Sequence, residues 1–449
     1  MTPDRAGTAG QREQQPARYL SGAPPAQQRT LLIVSGGSEA LAGIRTARAM
    51  GLHVIVSDGD PAAPGLAAAH EGLLASTYDV AATVGAARHY HQHTRPIDGV
   101  ICIASDVPLT VAAVAHELGL PGVSLVTARL SSDKLAMKQR LAEHRVAIPD
   151  FAATPTVADL EAHVARHGYP LVVKPVDSRG ARGVLALFDE HTAELAWAHA
   201  TALRESPSGR VMVERFLSGP QLSTESLVVD GLCHTVGIAD RHYEHMQRFA
   251  PHVIEDGGEL PSALGPTERA AVCEVVQQAA RALGVRSGVL KGDIVLHQGQ
   301  AHVIEVAVRL SGGYLCTHEI PLSTGVDFVA QAIRLALGEN PAAADMRPTR
   351  DAGVAQRWLF PAPGRVLAVA GVKDVAARPE VALCEVRVAA GDEVPALSSH
   401  RSRAGVVIAT GATRQQAIVH AERAVADIAI ETEPLTPPAH AVPPRKRRG

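Results

Sequence analysis

Apolar residues fall into short runs along the first third of the chain, and polar stretches separate these runs. Residues 30–34 (TLLIV), 53–57 (HVIVS) and 99–104 (GVICIA) have the pattern of buried strands. Helical periodicity follows at about 39–50 and at 111–118. Alternation of buried strands and helices is typical of a sheet covered by helices. The pattern therefore predicts an N-terminal βαβ domain over residues 30–130.

The middle of the chain contains shorter apolar runs with turn residues between them. Residues 169–176 (YPLVVKPV) and 184–188 predict two strands, and the polar segment 177–183 (DSRGARG) predicts the turn that joins them. Further strands are expected at 210–217 and 221–229, followed by a helix at 267–283. Residues 240–261 read as a polar loop, and a loop of that length in a compact domain suggests a function.

Two segments farther along predict a β-hairpin, 291–297 (KGDIVLH) and 302–313 (HVIEVAVRLSGG), because three turn residues around Gly299 separate them. Side chains alternate between the faces of a strand. One face of the second strand should therefore carry the apolar residues Ile304, Val306, Val308 and Leu310. The other should carry Glu305, Ala307 and Arg309.

This register places Asp293 directly opposite Glu305. Like charges opposed across two strands destabilise the pairing, so the pair predicts a cation between them. Carboxylate oxygens facing an anionic substrate suit magnesium. Gly312 and Gly313 then allow the backbone to approach a ligand closely. An ordinary amphipathic strand whose charges face solvent is the alternative interpretation.

The last quarter of the chain predicts a separate small α+β module over residues 346–432, after a Pro/Ala linker at 341–349. Strands are expected at 356–360, 366–372 and 384–389, and a helix at 413–428. Residues 1–29 and 433–449 are predicted to be disordered tails, and the second ends in the basic run Arg445-Lys446-Arg447-Arg448.

Composition narrows the class of protein. The chain has 449 residues and a formal net charge of −3, so a nucleic-acid partner is not implied. No apolar run reaches about 18 residues, so no membrane span is expected. The five cysteines form no CxxC pair, which favours a reducing cytoplasm over a disulfide framework or a zinc site.

Two weaker signals point elsewhere. A dinucleotide site is suggested by Gly36-Gly37 after the first strand and Asp58 after the second. The GxGxxG pattern that such a site requires is absent. We therefore favour a helix N-terminus that caps a carboxylate or simply packs. His89, His91 and His93 could bind a metal ion. No carboxylate or cysteine accompanies them at ligand spacing, so a solvated element is the better interpretation.

Five motifs in a fixed order carry a family resemblance. They are Asp133-Lys134, VVKP at 172–175, SRGARGV at 178–184, VMVERFLSG at 211–219, and the pair KGDIVL and HVIEVAVRLSGG. This order resembles the ATP-grasp superfamily over most of residues 30–338. The last module resembles the C-terminal domain of its carboxylate–amine ligase branch, which includes L-amino-acid ligases. The resemblance implies an α/β ATP-grasp fold with an ATP-grasp domain at 131–345, whose lid spans about 150–213, between the N-terminal and C-terminal domains.

The resemblance also implies a role for individual residues. Lys134 and Lys174 look like the lysines that hold ATP phosphates. A mobile loop that closes over the phosphates is implied at 178–183, which contains Ser178, Arg179, Gly180 and Gly183. The adenine-binding segment would consist of Glu214, Arg215, Phe216 and Leu217, with Glu214 bonding the adenine amino group. By the same resemblance, Asp293 and Glu305 would bind one or two Mg²⁺ ions and Arg309 would steady the transferred phosphoryl group. The family usually has Asn at the position of Ala307.

The expected reaction joins a small-molecule carboxylate to an amine. ATP phosphorylates the carboxylate, the amine attacks the acyl phosphate, and ADP and phosphate are released. We expect the polar segment 241–249 to select the substrate through His242, Tyr243 and Arg248, unless it is a surface loop without a substrate role. Three alternatives stay open: a biotin-carboxylase-like enzyme, a purine-pathway enzyme of the same superfamily, and a nucleotide-binding protein without catalysis. A homodimer is also left open.

Overall fold

The computed structural model of the protein describes residues 28–435, so most of both predicted tails lies outside the described residues. The N-terminal region contains β1 (Thr30–Val34), α1 (Leu41–Ala49), β2 (His53–Asp58), α2 (Pro64–Ala68), β3 (Glu71–Leu74), α3 (Val80–His93), β4 (Gly99–Ile101), α4 (Pro108–Leu118) and α5 (Leu125–Ser132). Its four strands form a parallel sheet in the order β3-β2-β1-β4. Every residue of β1 is buried, as expected for a parallel sheet that helices cover on both faces.

The segment predicted to be the lid, called the lid below, is a small antiparallel sheet with two helices on it. It contains β5 (Phe151–Ala153), α7 (Val157–His167), β6 (Leu171–Pro175), β7 (Leu185–Leu187), α8 (Leu195–Arg204) and β8 (Val211–Arg215), with the strand order β5-β8-β6-β7. The preceding helix, α6 (Lys134–Glu143), begins after its N-cap Asp133, whose side chain accepts a hydrogen bond from the Ala136 N–H. Lys134 therefore opens this helix at the entrance to the lid.

The centre of the molecule is one eight-stranded sheet. Its elements are β9 (Gln221–Val229), β10 (Leu232–His242), α9 (Met246–Phe249), β11 (Gly257–Leu260), α10 (Pro266–Leu283), β12 (Gly288–His297), β13 (Gln300–Ala307), a π-helical turn (Leu315–Glu319), α11 (Ile320–Thr324) and α12 (Phe328–Ala336). The strand order is β13-β12-β9-β10-β11, continued by three strands of the C-terminal segment, β14 (Gly353–Leu359), β18 (Gly405–Gly411) and β16 (Val381–Val386). Helix α10 buries Val272, Val275 and Val276 in the core beside this sheet.

The C-terminal segment is joined to this sheet rather than being separate from it. It contains β14 (Gly353–Leu359), β15 (Gly364–Ala370), α13 (Val372–Ala376), β16 (Val381–Val386), β17 (Glu393–Val394), β18 (Gly405–Gly411), α14 (Arg414–Ala426) and β19 (Ala429–Glu433). Strand β14 pairs antiparallel with β11, and β18 and β16 continue the same sheet. The reason is that β11 otherwise leaves an edge of unpaired backbone groups, and β14 covers it.

That pairing corrects a second expectation. The predicted polar loop at 240–261 contains the end of β10 and the whole of β11, because Gly257 and Gly258 interrupt the apolar pattern that announces a strand. Gly258 pairs with Arg241, and because glycine has no Cβ the two strands can lie close together. A Cβ at position 258 would lie 2.5 Å from the Asp240 carbonyl oxygen. The polar segment is therefore partly sheet.

The hairpin of β12 and β13 has the predicted register at its centre, with Asp293 paired to Glu305. The register then shifts, because Ile294 pairs with Val303 and leaves Ile304 as an extra residue. Ile304 consequently lies on the polar face with Glu305, and Val303 takes its place in the core. The prediction that Ile304 shares the apolar face is wrong, because strict alternation cannot anticipate a bulge.

Among residues 28–435, no helix combines the length and the apolar character that crossing a bilayer requires.

Candidate active site

A cavity of about 540 Å³ lies between the lid, the polar face of the central sheet and the C-terminal segment. Apart from Gly183, His242 and Arg248, the site residues predicted from the sequence line this cavity. Further lining residues come from the loop after β4 and from β14. A volume of a few hundred cubic ångströms with converging polar groups is typical of a small-molecule site.

The predicted phosphate lysines belong to a buried charge cluster. Lys174 at the end of β6 forms an ion pair with Glu214 on β8, and the second Glu214 oxygen lies 3.1 Å from Lys138 Nζ. Burial lowers the pKa of Lys138 to about 8, although Glu214 acts in the opposite direction. Burial opposes ionisation of Glu214, yet the two lysines outweigh it and lower the Glu214 pKa. Two cations against one anion leave an excess positive charge at the cavity wall.

Lys134, the other predicted phosphate lysine, makes its contacts outside the cluster of Glu214, Lys138 and Lys174. Its Nζ donates to the Ser178 carbonyl oxygen at 2.7 Å and lies 3.3 Å from Glu305 Oε1. Lys134 therefore ties the predicted phosphate loop to the predicted metal ligand.

Residues Ser178 to Gly183 cross the cavity as a loop between β6 and β7. Ser178 Oγ is buried and has no hydrogen-bond partner among the described residues. Arg179 stacks on the Tyr78 ring at 4.3 Å, and the Gly180 carbonyl accepts a hydrogen bond from the His400 N–H at 3.1 Å. The loop is thus held from the N-terminal and the C-terminal regions at once. An unpaired buried hydroxyl in a glycine-containing loop beside two lysines fits a phosphate group.

The predicted adenine segment lies at the same end of the cavity. Arg215 ends β8, Phe216 and Leu217 follow it, and all three line the wall. The Phe216 ring packs edge-on against Phe188. The Glu214 carboxylate, in contrast, is 2% exposed and already held by two lysines. Its bond to an adenine amino group stays a prediction.

The two predicted metal ligands face the cavity side by side. Asp293 forms ion pairs with Lys291 and with Arg241, whose Nη1 lies 2.6 Å from the Asp293 carboxylate. Burial opposes ionisation of Asp293, but Lys291 and Arg241 outweigh it and hold its pKa well below the usual range. Three protein cations, Lys291, Arg241 and Lys134, therefore relieve the repulsion between Asp293 and Glu305. The expectation that the cation between the two carboxylates has to be a metal ion is wrong.

These residues nevertheless fit magnesium. Mg²⁺ is usually bound by one or two carboxylates together with substrate phosphates, and a pair of adjacent carboxylates beside a phosphate loop supplies that donor set. No group of three or more Asp, Glu, His or Cys side chains converges within the described residues. The side chain of Ala307 offers no oxygen. Any remaining ligands would come from phosphate or water.

Arg309 is fixed by a residue that sequence reasoning missed. Its Nε donates to Asp106 Oδ1 at 2.8 Å, and Asp106 lies in the loop after β4. Burial works against the Asp106 charge, but Arg309 outweighs it and lowers the pKa of Asp106 to about 2. An aspartate of the N-terminal sheet thereby orients the guanidinium toward the cavity. No sequence signal links positions 106 and 309.

The predicted substrate residues divide into two groups. Tyr243, Gly312 and Gly313 line the cavity. His242 is on the opposite face of β10, where it contacts Glu259, and Arg248 is exposed on α9. Neither His242 nor Arg248 faces the cavity, because alternation along β10 turns His242 away and places Arg241 inward.

The C-terminal segment adds a second set of missed residues. Arg403 stacks on the Trp358 ring at 4.1 Å and donates to the Glu255 carbonyl oxygen at 2.6 Å. Burial lowers the pKa of Arg403 to about 10. Gln356 of β14 donates to the Gly313 carbonyl at 2.6 Å. This end of the cavity is therefore built by β14 and the segment before β18, which only the sheet pairing brings to the site.

Three family models match successive segments of the chain. Residues 44–122 match the ATP-grasp N-terminal domain, 133–343 the ATP-binding domain of the carbamoyl-phosphate synthase large chain, and 357–433 the L-amino acid ligase C-terminal domain 2. The chain belongs to the ATP-grasp carboxylate–amine ligase family. ATP-grasp ligases of this kind form C–N bonds with release of ADP, and they depend on ATP and magnesium. The family and the fold predicted from the sequence are confirmed.

Individual relatives of this ATP-grasp protein are distant. It is 27% identical to the uncharacterised protein y4rH of Sinorhizobium fredii over 94% of this chain and 86% of that protein. It is 26% identical to a formate-dependent phosphoribosylglycinamide formyltransferase of Nitratidesulfovibrio vulgaris, over 91% and 98%. Its fold is similar to that of an L-amino acid ligase from Bacillus licheniformis, with a TM-score of 0.76 and 22% identity over 91% of this chain and all of that one.

Proposed function

We propose that this protein is an ADP-forming ligase that joins the carboxylate of one amino acid to the amine of a second substrate. A carboxylate oxygen attacks the γ-phosphorus of ATP and ADP leaves. The amine nitrogen then attacks the acyl carbon, loses a proton, and phosphate departs. Phosphoryl transfer of this kind needs positioning and charge neutralisation more than covalent help.

The observation that carries the proposal is the distribution of positive charge along one cavity. Lys134 and Lys174 lie beside the phosphate loop, and Arg309 is held at its side of the cavity by Asp106. Fixed cations in a cavity screened from water stabilise the charge that develops on a transferring phosphoryl group. Asp293 and Glu305 would hold magnesium, which when bound neutralises further phosphate charge. In our proposal the lysines bind the phosphates and Arg309 steadies the transferred group.

Support for an amino-acid substrate comes from the far end of the cavity. The match to the L-amino acid ligase C-terminal domain covers the residues that build this end, including Trp358 and Arg403. The family model matched by this segment is that of the L-amino acid ligases, which is why we favour an amino-acid substrate over a purine-pathway or biotin-dependent role. The five free cysteines support a reducing compartment such as the cytoplasm as part of the proposal. Light scattering after gel filtration decides between a monomer and the homodimer that the sequence left open.

A screen of amino-acid pairs tests the proposal. Purified protein with ATP and Mg²⁺ receives each of the twenty amino acids alone and in pairs, and phosphate release is measured together with the mass of the product. We expect at least one pair to yield ADP, phosphate and a product lighter by one water than the sum of the pair. Phosphate release without a coupled product for any pair, or formation of AMP and pyrophosphate, contradicts it.

Arg309→Ala provides the matched control for this screen. Because Arg309 contacts Asp106 and the cavity rather than the core, the variant should fold and bind ATP while losing at least about 100-fold in turnover, the typical loss when one charge-stabilising donor is removed. An activity that survives in this variant does not arise from the proposed site.

A further inference from the structure

One carboxylate lining the cavity has no partner. Glu319 ends the π-helical turn Leu315–Glu319, which follows Tyr314 in the left-handed region with φ 68°. Its side chain faces the cavity and is 3% exposed. Within the described residues it makes no hydrogen bond and no ion pair through its carboxylate oxygens. Single π-helical turns occur frequently at functional sites, where they redirect a side chain.

The other carboxylates around the cavity are all engaged. Each one accepts from a cation or from a backbone N–H: Glu39, Asp106, Glu214, Asp240, Glu255, Asp293 and Glu305. The charged groups that act on Glu319 are Glu255 and Glu259, which are themselves carboxylates. Burial, assisted by these two, raises the pKa of Glu319 to about 8. The turn that carries Glu319 follows Gly313, whose carbonyl oxygen accepts a hydrogen bond from Gln356 of β14, so Glu319 belongs to the far end of the cavity.

A buried carboxylate without a partner is costly unless a ligand provides one. A metal ion does not fit, because the two neighbouring carboxylates are already paired, Glu255 with Arg241 and Glu259 with Arg357. An organic ammonium does fit, since it carries one positive charge and three donors and needs a single anionic partner. The ammonium group of a ligand would therefore provide the partner that Glu319 needs.

We propose that Glu319 binds the α-ammonium group of the amino acid whose carboxylate is activated. This inference rests on the proposed function. The attacking amine has to be neutral when it reacts, and a carboxylate that held it as a lasting ion pair would stabilise the unreactive ammonium form. The ammonium that remains charged throughout belongs to the activated amino acid. Glu319 is therefore the specificity-determining residue for that substrate.

Hydroxylamine makes the test independent of the second substrate. With hydroxylamine as nucleophile, the acid is the sole variable, and hydroxamate formation is measured for the amino acid found in the screen and for its analogue without the amino group. Glu319→Gln should lower kcat/KM for the amino acid by at least about 30-fold, because the ammonium loses a buried charged partner. The value for the analogue should change less than about threefold, and so should the KM for ATP. If the analogue turns over too slowly, its inhibition constant replaces kcat/KM.

Two controls accompany the variant. Glu143→Gln removes a carboxylate that is 67% exposed on α6 and should behave like wild type. Glu319→Gln should also keep the thermal midpoint of the ligand-free protein at pH 6, because glutamine replaces a protonated acid of nearly the same shape.

The outcomes separate the two proposals. Hydroxamate from neither acid in the wild type overturns the proposed function itself. Two results overturn the role of Glu319 while the proposed function stands. One is a Glu319→Gln variant that prefers the amino acid over its analogue as strongly as the wild type does, and the other is an equal loss of kcat/KM with both acids.

Discussion

Glu214 is the single anion between two buried lysines, so Glu214→Gln should destabilise the protein strongly. The carboxylate is 2% exposed and contacts Lys138 and Lys174. Removing one member of a buried ionic group costs about 3 to 5 kcal/mol, because the remaining charges stay buried without a counter-charge. We expect a loss of that size in the free energy of unfolding at pH 6, measured by urea denaturation and linear extrapolation. Glu190→Gln on the lid surface should change it by less than about 0.5 kcal/mol.

The defect should also depend on pH in a defined direction. Burial already lowers the pKa of Lys138 to about 8, and loss of Glu214 lowers it further. In the variant the folded state then binds fewer protons than the unfolded state below the unfolded-state lysine pKa, so its stability rises with pH relative to wild type. The difference between the two proteins should shrink between pH 6 and pH 9. A loss below about 1 kcal/mol at pH 6, or a difference that grows with pH, would refute the buried cluster of two cations and one anion.

Four further predictions concern the cavity. Lys174→Met should raise the KM for ATP at least about tenfold, and wild-type ATP affinity in this variant would contradict the phosphate role of Lys174. Because Lys174 is buried, the substitution should also lower the free energy of unfolding by about 1 to 3 kcal/mol, measured by urea denaturation. Asp106→Asn should lower kcat about 10- to 100-fold while the KM for ATP changes little, because it releases Arg309; an altered KM with normal kcat speaks against it. Glu305→Gln should abolish most activity and reduce the Mg²⁺-induced stabilisation of the nucleotide complex, which reaches about 2.7 kcal/mol at a hundredfold excess over Kd; a full Mg²⁺ shift in the variant means that the metal binds elsewhere. Glu319→Gln should gain stability relative to wild type as pH rises from about 5 to 8, because the folded-state pKa of about 8 lies above the unfolded value; parallel pH profiles would contradict this.

Local pattern was sufficient for the N-terminal sheet and for the centre of the hairpin. Strand β1 has the predicted bounds, and Asp293 pairs with Glu305 as predicted. Both results follow from periodicity, which reports which side chains share a face. The bulge at Ile304 escaped this reasoning, because one inserted residue changes the facing of a side chain without changing the composition of the strand.

Lys138 could have been found from the sequence. It lies four residues after Lys134 on α6, on the same face as the buried Met137 and Leu141, where a lysine needs a counter-charge. Its partner Glu214 lies 76 residues away, so the presence of a buried cluster was predictable while its membership was not. The same partner, Glu214, also pairs with the buried Lys174 at the end of β6.

The far end of the cavity was beyond sequence reasoning altogether. Arg403 and Trp358 reach it because β14 pairs with β11, and Asp106 reaches Arg309 across 203 residues of chain. Such contacts depend on which sheet edges meet, and no local periodicity encodes that. Glu319 is also hidden, because a glutamate at the start of an apolar helix reads as a solvated end rather than as a buried carboxylate.

Isotope transfer tests the central claim most directly. The amino acid identified in the screen is prepared with ¹⁸O in both carboxylate oxygens and incubated with ATP, Mg²⁺ and the amine substrate. Activation as an acyl phosphate passes one carboxylate oxygen to the phosphoryl group, so the phosphate released should carry one ¹⁸O atom per product molecule, with ADP as the nucleotide product. Unlabelled phosphate, or label recovered in AMP, would contradict phosphorylation of the carboxylate at this site.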